Sequence, residues 1–423
     1  MKYFYYQDGQ LCCEQVPLKE LAEEYGTPLY VYSRSQILDN YNAVNGAFGD
    51  SDHLTCYALK ANSNFSILKI LAEAGAGADV VSGGELFLAL KAGFRPEKIT
   101  FAGVGKREDE IEFALNENIF SLTVESIQEL QLISLVANRL NLTARISIRV
   151  NPDIDAESHP YITTGLKQNK FGVEAEKIEE TFKTAVSLPS LSVHGIHAHI
   201  GSQIAKVEPF VAAAKFVVDW VAKLRANGIG ITHLDFGGGI GVPYSNAIKN
   251  EALPVDDLPE NHIPPAEQFI SAVLPILQQA GCSIWVEPGR SIIADAGVLL
   301  TKVLYTKENS SRRFVIVDAG MTELLRPSLY GAYHQIVPLT IDTFEHEKVD
   351  VVGPICETGD FLAKDRMLPK TKQQDVLAVL TTGAYGFVSA SNYNGRLHPA
   401  EVLVNGERVR VIRPRQTLDQ LLQ

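Results

Sequence analysis

The strongest constraint on the fold is a repeated alternation of short β-rich segments with longer segments of helical period. Eight β-rich segments follow one another, at residues 53–59, 78–81, 99–104, 120–124, 144–150, 193–200, 233–236 and 283–286. Segments of helical period lie between most of them, as at 65–73, 85–92, 108–116 and 205–226. Strands that alternate with helices in this way are typical of parallel βα units. Eight such units favour a closed (β/α)8 TIM barrel over an open sheet.

The pattern changes after about residue 292. β-branched runs separated by turns occur at 298–306, 313–317, 351–354, 376–381 and 401–412, and helical pattern is scarce there. This part predicts a C-terminal antiparallel β domain, which an extra strand at 29–32 could join. The predicted fold class is therefore α/β plus all-β. We expect a segment of the β domain at 1–35, the barrel at 36–291 and the C-terminal β domain at 292–423, with a surface insertion in the barrel at 246–264.

Composition argues against several classes of partner. The chain has 423 residues, of which 46% are hydrophobic and 21% charged, as in ordinary globular proteins. A net charge of −12 argues against nucleic acid and against an anionic membrane. The sequence shows neither a signal-peptide pattern nor an apolar run long enough to span a membrane. The cysteines are few and lack metal-ligand spacing, which indicates free thiols in a reducing cytoplasm: Cys12, Cys13, Cys56, Cys282 and Cys356.

Unusual polar and glycine residues fall at the ends of the predicted barrel strands. The working residues of βα barrels lie at the C-terminal strand ends, so these residues should converge on one mouth of the barrel. They are Lys60, Asp79, Ser82, Arg149, His199, Gly201, Ser202, Gly237, Gly238, Gly239, Glu287, Pro288, Gly289 and Arg290.

Lys60 and the glycine run at 237–239 each allow two interpretations. A strand-end lysine can simply extend its amine to solvent, whereas a desolvated lysine can attack a carbonyl and form a Schiff base. The glycine run can be a tight turn without a ligand, or it can offer backbone N–H groups to a phosphate. Its spacing does not fit the dinucleotide pattern, because position 242 is valine. Ser202 and Arg290 offer further phosphate donors on the same rim.

Glu287 distinguishes best between the two interpretations of these residues, one without a ligand and one with a bound cofactor. A buried carboxylate at a barrel mouth needs a partner. The pyridine nitrogen of pyridoxal 5′-phosphate (PLP) would provide one, because a carboxylate there keeps the nitrogen protonated. The alternative is a salt bridge to Arg290 or another barrel arginine. His194, His197 and His199 raise the question of a metal, but the sequence places no acidic ligand beside them, and we predict none.

The predicted β domain contributes four further candidates. The turn that contains Cys356 and Glu357 joins a thiol, which can donate a proton, to a carboxylate, which can hold a cationic group. Arg326 and Tyr330 are a cation and a phenol four residues apart, and together they can recognise a carboxylate. The usual alternative for such a cysteine is a buried, inert thiol.

Taken together, these residues resemble the fold-type III PLP-dependent decarboxylases, and among them the enzymes that act on diaminopimelate. The resemblance runs from about Tyr30 to Val404. It rests on these motifs: Tyr57-Ala58-Leu59-Lys60-Ala61-Asn62, His199-Ile200-Gly201-Ser202-Gln203, Asp235-Phe236-Gly237-Gly238-Gly239, Glu287-Pro288-Gly289-Arg290, Arg326-Pro327-Ser328-Leu329-Tyr330, Cys356-Glu357-Thr358-Gly359-Asp360, Gly383-Ala384-Tyr385-Gly386 and Ser391-Asn392-Tyr393-Asn394. One departure is Thr358, where the family often has serine, and the hydroxyl is retained.

The resemblance implies a fold, a cofactor and an assembly. The fold is the alanine racemase-like barrel with a β domain, and the assembly is a homodimer whose two active sites are shared. Lys60 would carry PLP, with His199 stacked on the ring and Glu287 at the pyridine nitrogen. The remaining cofactor-binding residues would be Asp79, Ser202, Gly238, Gly239, Gly289, Arg290 and Tyr385. The residues that bind an amino-acid substrate would be Arg290, Arg326, Tyr330, Glu357 and Tyr385.

The implied reaction is decarboxylation of meso-2,6-diaminopimelate to L-lysine and CO2, the last step of lysine biosynthesis. Cys356 and Glu357 would reach the partner subunit's site, where Cys356 returns a proton to the α-carbon. The alternatives within the fold are decarboxylases of ornithine, arginine or carboxynorspermidine, and alanine racemases. Arg326 argues for a distal carboxylate and against the ornithine type, and the Cys356-Glu357 pair argues against a racemase. The large β domain argues against a barrel-only PLP-binding protein.

Overall fold

The computed structural model describes residues 1–155, 164–165, 169–254, 258, 263–342 and 344–422. The chain forms two compact units. The barrel unit comprises Tyr41–Gly241 and Pro264–Ser291. The β unit comprises Met1–Asn40, Val242–Ile263 and Ile292–Gln423.

The secondary structure follows the chain in this order. The strands are β1 (Phe4–Gln7), β2 (Gln10–Cys13), β3 (Val16–Pro17), β4 (Leu29–Ser33), β5 (His53–Ala58), β6 (Gly77–Val80), β7 (Ile99–Phe101), β8 (Ser121–Val124), β9 (Ala144–Asn151), β10 (Val173–Glu174), β11 (Leu191–His197), β12 (His233–Asp235), β13 (Ser283–Val286), β14 (Gly297–Glu308), β15 (Arg313–Val317), β16 (Ile336–Pro338), β17 (His346–Val352), β18 (Phe361–Pro369), β19 (Val376–Val379), β20 (Ala400–Asn405) and β21 (Arg408–Arg413). The helices are α1 (Leu18–Tyr25), α2 (Arg34–Gly46), α3 (Phe65–Glu73), α4 (Gly83–Ala92), α5 (Glu108–Asn116), α6 (Ile127–Arg139), α7 (Ile178–Ser187), α8 (Glu208–Ala226), α9 (Ala266–Leu277), α10 (Arg290–Ile293) and α11 (Arg326–Tyr330).

The predicted (β/α)8 barrel is confirmed. Strands β5 to β9 and β11 to β13 pair in parallel in chain order, and β13 pairs with β5 to close the cylinder. The short strand β10 adds to β9 outside this ring. Closure brings the C-terminal ends of all eight strands to one rim, which is where the predicted site residues follow their strands.

Local sequence chemistry explains how strands pass into helices. Ser82 follows β6 and accepts a hydrogen bond from the backbone N–H of Glu85, which caps the start of α4. Ser126 does the same for α6 through the N–H of Glu129. Gly93 ends α4 in the left-handed conformation, which costs a glycine little. The starts of α4 and α6 are thus specified by residues next to them in the sequence.

The β unit contains a small N-terminal sheet of β1, β2 and β3 and a larger sheet that includes the order β18-β17-β15-β14-β4-β20-β21. The prediction that residues 29–32 join the β domain is confirmed, because β4 pairs antiparallel with β14 and parallel with β20. The sheet is mainly antiparallel as predicted, although β15 and β17 also pair in parallel.

The β unit differs from the sequence prediction in several features, among them the unpredicted strands β1 to β3 and β16. Strand β18 is not predicted, because the charged residues Lys364, Asp365 and Arg366 interrupt its apolar pattern. The segment Val242–Ile263 belongs to the β unit and not to the barrel, because its apolar residues Ile248 and Leu253 are buried in the β-unit core. Residues 255–257 and 259–262 of that predicted insertion lie outside the described residues.

Two expectations from composition, on the cysteines and on membrane-spanning segments, can be compared with the structure. All five cysteines are free thiols, as the sequence predicts. Among the described residues, every helix is too short or too polar to cross a bilayer.

Candidate active site

Lys60 lies on the barrel rim in contact with a buried carboxylate. After β5 the chain makes one 3₁₀ turn at Leu59–Ala61, which places Lys60 beside Asp79 at the end of β6. The Lys60 Nζ donates to Asp79 Oδ2 over 2.7 Å. Burial raises the pKa of the Asp79 carboxyl and the charge on Glu287 adds to this, while Lys60 opposes the shift. The lysine therefore counters the cost of a fully buried acid.

The glycine run after β12 has little room for side chains. Gly237 and Gly239 adopt φ of +64° and +107°, in the region that disfavours other residues. A β-carbon at Gly238 would overlap the carbonyl oxygen of Glu287, and one at Gly239 would overlap that of Gly201. The loop therefore packs closely against neighbouring backbone, and its Gly237 and Gly238 N–H groups donate to Asp235 Oδ1 and His199 Nδ1.

Ser202 and Arg290 meet on the same rim. The Arg290 Nη2 donates to Ser202 Oγ over 3.0 Å, and Arg290 itself is buried. A guanidinium, a hydroxyl and the glycine loop together concentrate anion-binding groups in a chain whose net charge is −12. The arrangement suits a phosphate.

His199 is held with its ring in a fixed orientation. The backbone N–H of Gly238 donates to His199 Nδ1 over 3.2 Å, so that nitrogen acts as an acceptor. Burial lowers the pKa of His199 well below its usual range, and the nearby charges of Arg149 and Lys60 lower it further. His199 is therefore a neutral, flat ring, as stacking on a cofactor would require.

Glu287 contacts a histidine, and not Arg290 or another barrel arginine, the alternative partners that the sequence left open. The Glu287 Oε2 lies 3.1 Å from His197 Nε2, whereas Arg149 contacts Glu125 over 3.3 Å. Although burial acts to raise the pKa of the Glu287 carboxyl, the charge and hydrogen bond of His197, together with Lys60, hold it below its usual range. Glu287 is thus an anion throughout the neutral range.

Sequence reasoning missed the acidic neighbourhood of His197. Ligand atoms of His197, Asp235 and Glu287 lie within 4.8 Å of one another, and all three residues are buried. A signal was available, because Asp235 lies two residues before the glycine run and Glu287 directly follows β13. Only barrel closure, however, brings β11, β12 and β13 side by side.

Arg326 and Tyr330 occupy the first and last positions of α11 in the β unit. The His334 Nδ1 donates to the carbonyl of Leu380 over 2.8 Å, so its Nε2 accepts from Arg326 Nη1 over 2.7 Å. The Arg326 guanidinium also lies 4.3 Å from the centre of the Tyr244 ring. These contacts, which the sequence did not reveal, fix the orientation of a buried arginine.

The other candidates of the β unit lie in turns. Cys356 and Glu357 are exposed, and the backbone N–H of Cys356 donates to Asn394 Oδ1 over 2.8 Å. The interpretation of Cys356 as a buried, inert thiol is thereby ruled out. Tyr385 is half-buried and adopts a φ of +56°. The structure thus joins the barrel candidates into one rim and places Arg326, Tyr330, Cys356, Glu357 and Tyr385 in the β unit.

Comparison with known proteins identifies the family. A family model described as the pyridoxal-dependent decarboxylase, pyridoxal binding domain matches residues 34–294. A diaminopimelate decarboxylase from Aquifex aeolicus is 46% identical over 423 residues, covering 100% of this chain and 97% of that protein. Another from Vibrio cholerae is 47% identical over 423 residues, covering 100% of this chain and 98% of that protein. The chain belongs to the diaminopimelate decarboxylase family.

Solved structures of the diaminopimelate decarboxylase family share the fold. The Helicobacter pylori diaminopimelate decarboxylase complexed with L-lysine superposes with a TM-score of 0.89 at 44% identity, covering 96% of this chain and 98% of that one. The M. jannaschii enzyme in co-complex with L-lysine gives a TM-score of 0.91 at 38% identity, covering 99% of this chain and 96% of that one. The fold-type III assignment is confirmed.

The barrel rim fits PLP, the cofactor of the diaminopimelate decarboxylase family. Lys60 offers an amine for the covalent link, and the glycine loop, Ser202 and Arg290 offer a phosphate cradle. Among the described residues, Glu287 Oε1 is a buried oxygen without a hydrogen-bond partner. An acceptor of that kind suits a protonated pyridine nitrogen. The group that forms the covalent link, the phosphate and the pyridine nitrogen of the cofactor therefore each have a counterpart on the rim.

The Gly238→Ala variant tests the phosphate cradle. Its β-carbon would meet the backbone carbonyl of Glu287, which cannot move aside as a flexible side chain would. We expect the loop to shift, at a cost of about 1–3 kcal/mol in unfolding free energy, and PLP affinity to fall by about tenfold or more. Thermal unfolding and equilibrium dialysis of PLP measure the two effects. Gly230→Ala is the matched control, because no atom lies within 4 Å of the place that its β-carbon would take. Equal PLP affinity in both variants would contradict the cradle.

Proposed function

We propose that this protein catalyses the PLP-dependent decarboxylation of meso-2,6-diaminopimelate to L-lysine and CO2, the last step of lysine biosynthesis. The observation that carries the proposal is the barrel rim, where an amine at Lys60, an anion cradle and a carboxylate at Glu287 lie together. Relatives that match over the full chain are diaminopimelate decarboxylases. Two of the similar solved structures contain L-lysine, the product of the proposed reaction.

The barrel residues divide the work of binding and activation. When bound, PLP draws electrons from the α-carbon of an attached amino acid, so that its carboxylate can leave as CO2. Lys60 would hold the cofactor covalently between turnovers, and Asp79 Oδ2 accepts from the Lys60 amine over 2.7 Å. Glu287 would keep the pyridine nitrogen protonated, and the neutral ring of His199 would pack against the cofactor.

Residues of the β unit would select the substrate. Arg326 is held by His334 and Tyr244 before any ligand arrives. A pre-oriented guanidinium can bind the distal carboxylate without a further ordering cost. Tyr330, Tyr385, Arg290 and Glu357 would complete recognition, with the Glu357 carboxylate facing the distal amine.

The proposal includes a homodimer in the cytoplasm with shared active sites. Cys356 and Glu357 are exposed in a turn of the β unit. That exposure supports a role in which they complete the site of a second copy, where the Cys356 thiol returns a proton to the α-carbon. The free state of all five cysteines supports a reducing compartment.

A substrate panel tests the proposed function. Release of CO2 is measured with meso-diaminopimelate, L-ornithine, L-arginine and L-lysine, and loss of optical activity is measured with L-alanine. We expect CO2 from meso-diaminopimelate at a kcat/KM at least about 10²-fold above the others, because the others lack a distal carboxylate. CO2 release from L-ornithine or L-arginine without release from diaminopimelate would exclude the substrate assignment, and racemisation alone would exclude decarboxylation.

The Cys356→Ala variant tests the proton donor. We expect kcat to fall by about 10²–10³-fold, within the range for removal of a positioned acid. The visible absorbance of bound PLP should remain, because the thiol does not hold the cofactor. Cys282→Ala removes a half-buried thiol of the barrel unit and serves as the control. A loss of PLP in Cys356→Ala would contradict the role of proton donor.

Shared sites make a separate prediction for mixtures of inactive variants. In a dimer of one Lys60→Ala chain and one Cys356→Ala chain, one site would carry both substitutions and the other neither. Random mixing should therefore restore about a quarter of the wild-type activity. An absence of restored activity after confirmed exchange of subunits would show that each chain forms its own site.

A further inference from the structure

Three buried polar side chains cluster beneath the barrel rim. His197, Asp235 and Glu287 end or follow three neighbouring strands, and each offers an atom within 4.8 Å of the others. The Glu287 Oε2 lies 3.1 Å from His197 Nε2. The Asp235 Oδ1 accepts from the backbone N–H of Gly237 over 2.9 Å. Among the described residues, the second oxygens of Asp235 and Glu287 have no other hydrogen-bond partner.

Two carboxyl groups at this separation inside a barrel cannot both carry a charge without strong repulsion. Burial removes the water that would screen them, so such pairs hold one proton between them. The proton binds to the carboxyl group that accepts hydrogen bonds from fewer donors, because fewer contacts stabilise its charged form. Glu287 has the imidazole of His197 beside it, whereas the described contact of Asp235 is a single backbone N–H.

We propose that Asp235 is a neutral carboxylic acid that donates a hydrogen bond to Glu287, and that Asp235 and His197 together position Glu287 as an anion. Burial raises the pKa of Asp235 well above its usual range, the charge on Glu287 raises it further, and the pKa of Glu287 is held low. Each carboxylate oxygen has two lone pairs, so Glu287 can accept from both neighbours and still accept from a cofactor nitrogen.

Asp235 would then be a positioning residue that links the two ends of the cofactor site. Its other oxygen holds Gly237, the first residue of the glycine loop. One side chain therefore supports both the phosphate cradle and the carboxylate assigned to the pyridine nitrogen. This part of the inference rests on the proposed function, whereas the shared proton does not.

Two variants at position 235 distinguish a neutral carboxylic acid from a charged carboxylate. Asparagine keeps an oxygen for Gly237 and an N–H for Glu287, so Asp235→Asn preserves both hydrogen bonds of the neutral acid. Alanine removes both. We expect the dissociation constant of PLP to change by less than about threefold in D235N and to rise by about tenfold or more in D235A, because buried groups lose their partners.

Infrared spectroscopy tests the shared proton without reference to activity. The difference spectrum of the purified wild type minus D235N should contain the carbonyl stretch of a protonated carboxylic acid. Circular dichroism shows whether D235A folds, and D235N carries the test if it does not.

The inference is overturned if D235N weakens PLP as strongly as D235A, or if the difference spectrum shows a carboxylate in place of the acid. Failure of the proposed function would look different. The wild type would then release no CO2 from diaminopimelate, while the carbonyl band of the acid would still be present.

Discussion

The Lys60→Ala variant is expected to lose the visible absorbance of bound PLP and to release CO2 from meso-diaminopimelate at least about 10²–10⁴-fold more slowly. That range is typical for removal of one positioned acid–base group, and it is a lower bound because Lys60 also supplies the covalent link. The absorbance spectrum of the purified variant and a CO2-release assay measure the two losses.

The Lys60→Arg variant separates the covalent role of Lys60 from its positive charge. Arginine keeps a positive charge beside Asp79, but its guanidinium stays protonated and cannot form the covalent link. We expect it to be as inactive as Lys60→Ala. Lys69→Ala, an exposed lysine of α3, should behave as wild type. Visible absorbance and CO2 release retained in Lys60→Ala would refute the cofactor anchor.

The two Lys60 variants should differ in their stability against pH. Burial raises the pKa of Asp79, and Lys60 opposes that shift over 2.7 Å. Without Lys60 the folded protein holds the Asp79 proton more tightly than the unfolded chain, so stability falls as pH rises from the unfolded pKa of about 4 through the folded pKa. Urea unfolding at about pH 5 and about pH 8 should show a larger loss at the higher pH for Lys60→Ala than for Lys60→Arg.

Glu287→Gln is expected to reduce kcat by about 10²–10³-fold, the range for loss of one electrostatic contact to a developing charge. A neutral amide cannot keep the pyridine nitrogen protonated, so the electron demand of the ring falls. PLP should remain bound, since Lys60 and the phosphate cradle are intact. Steady-state kinetics with meso-diaminopimelate should show the loss mainly in kcat.

The control for Glu287→Gln is a second buried carboxyl. Glu323 lies in the β unit, and burial raises its pKa to about 7, while its Oε2 accepts from Gly320 and Thr322. Glutamine can keep an acceptor oxygen there, so Glu323→Gln should leave kcat within about twofold of wild type. A Glu287→Gln enzyme of unchanged kcat would remove Glu287 from the pyridine nitrogen.

Much of the barrel could be predicted because its information is local. The βα units show a local alternation of periods, two of their helices begin at a serine cap, and polar residues stand at strand ends, as at Ser82 and Lys60. The β unit was harder to predict. Strand β18 carries three consecutive charged residues, and its pairing with β17 depends on a partner outside its own sequence. The segment Val242–Ile263 follows β12 in the chain and so reads as part of the barrel, whereas its apolar residues are buried elsewhere.

The sequence by itself determined which residues stand at the strand ends, and the resemblance of their motifs determined the family and its cofactor. The tertiary structure decided how those residues pair. Lys60 meets Asp79 because β5 and β6 are neighbours, and Glu287 meets His197 and Asp235 because β11, β12 and β13 are. The contact that orients Arg326 is a hydrogen bond to His334, and no sequence pattern predicts it. Short stretches of sequence are enough to show the periodicity of a strand or helix. Charge states depend on burial and on contacts between residues distant in sequence, and these exist only once the barrel closes.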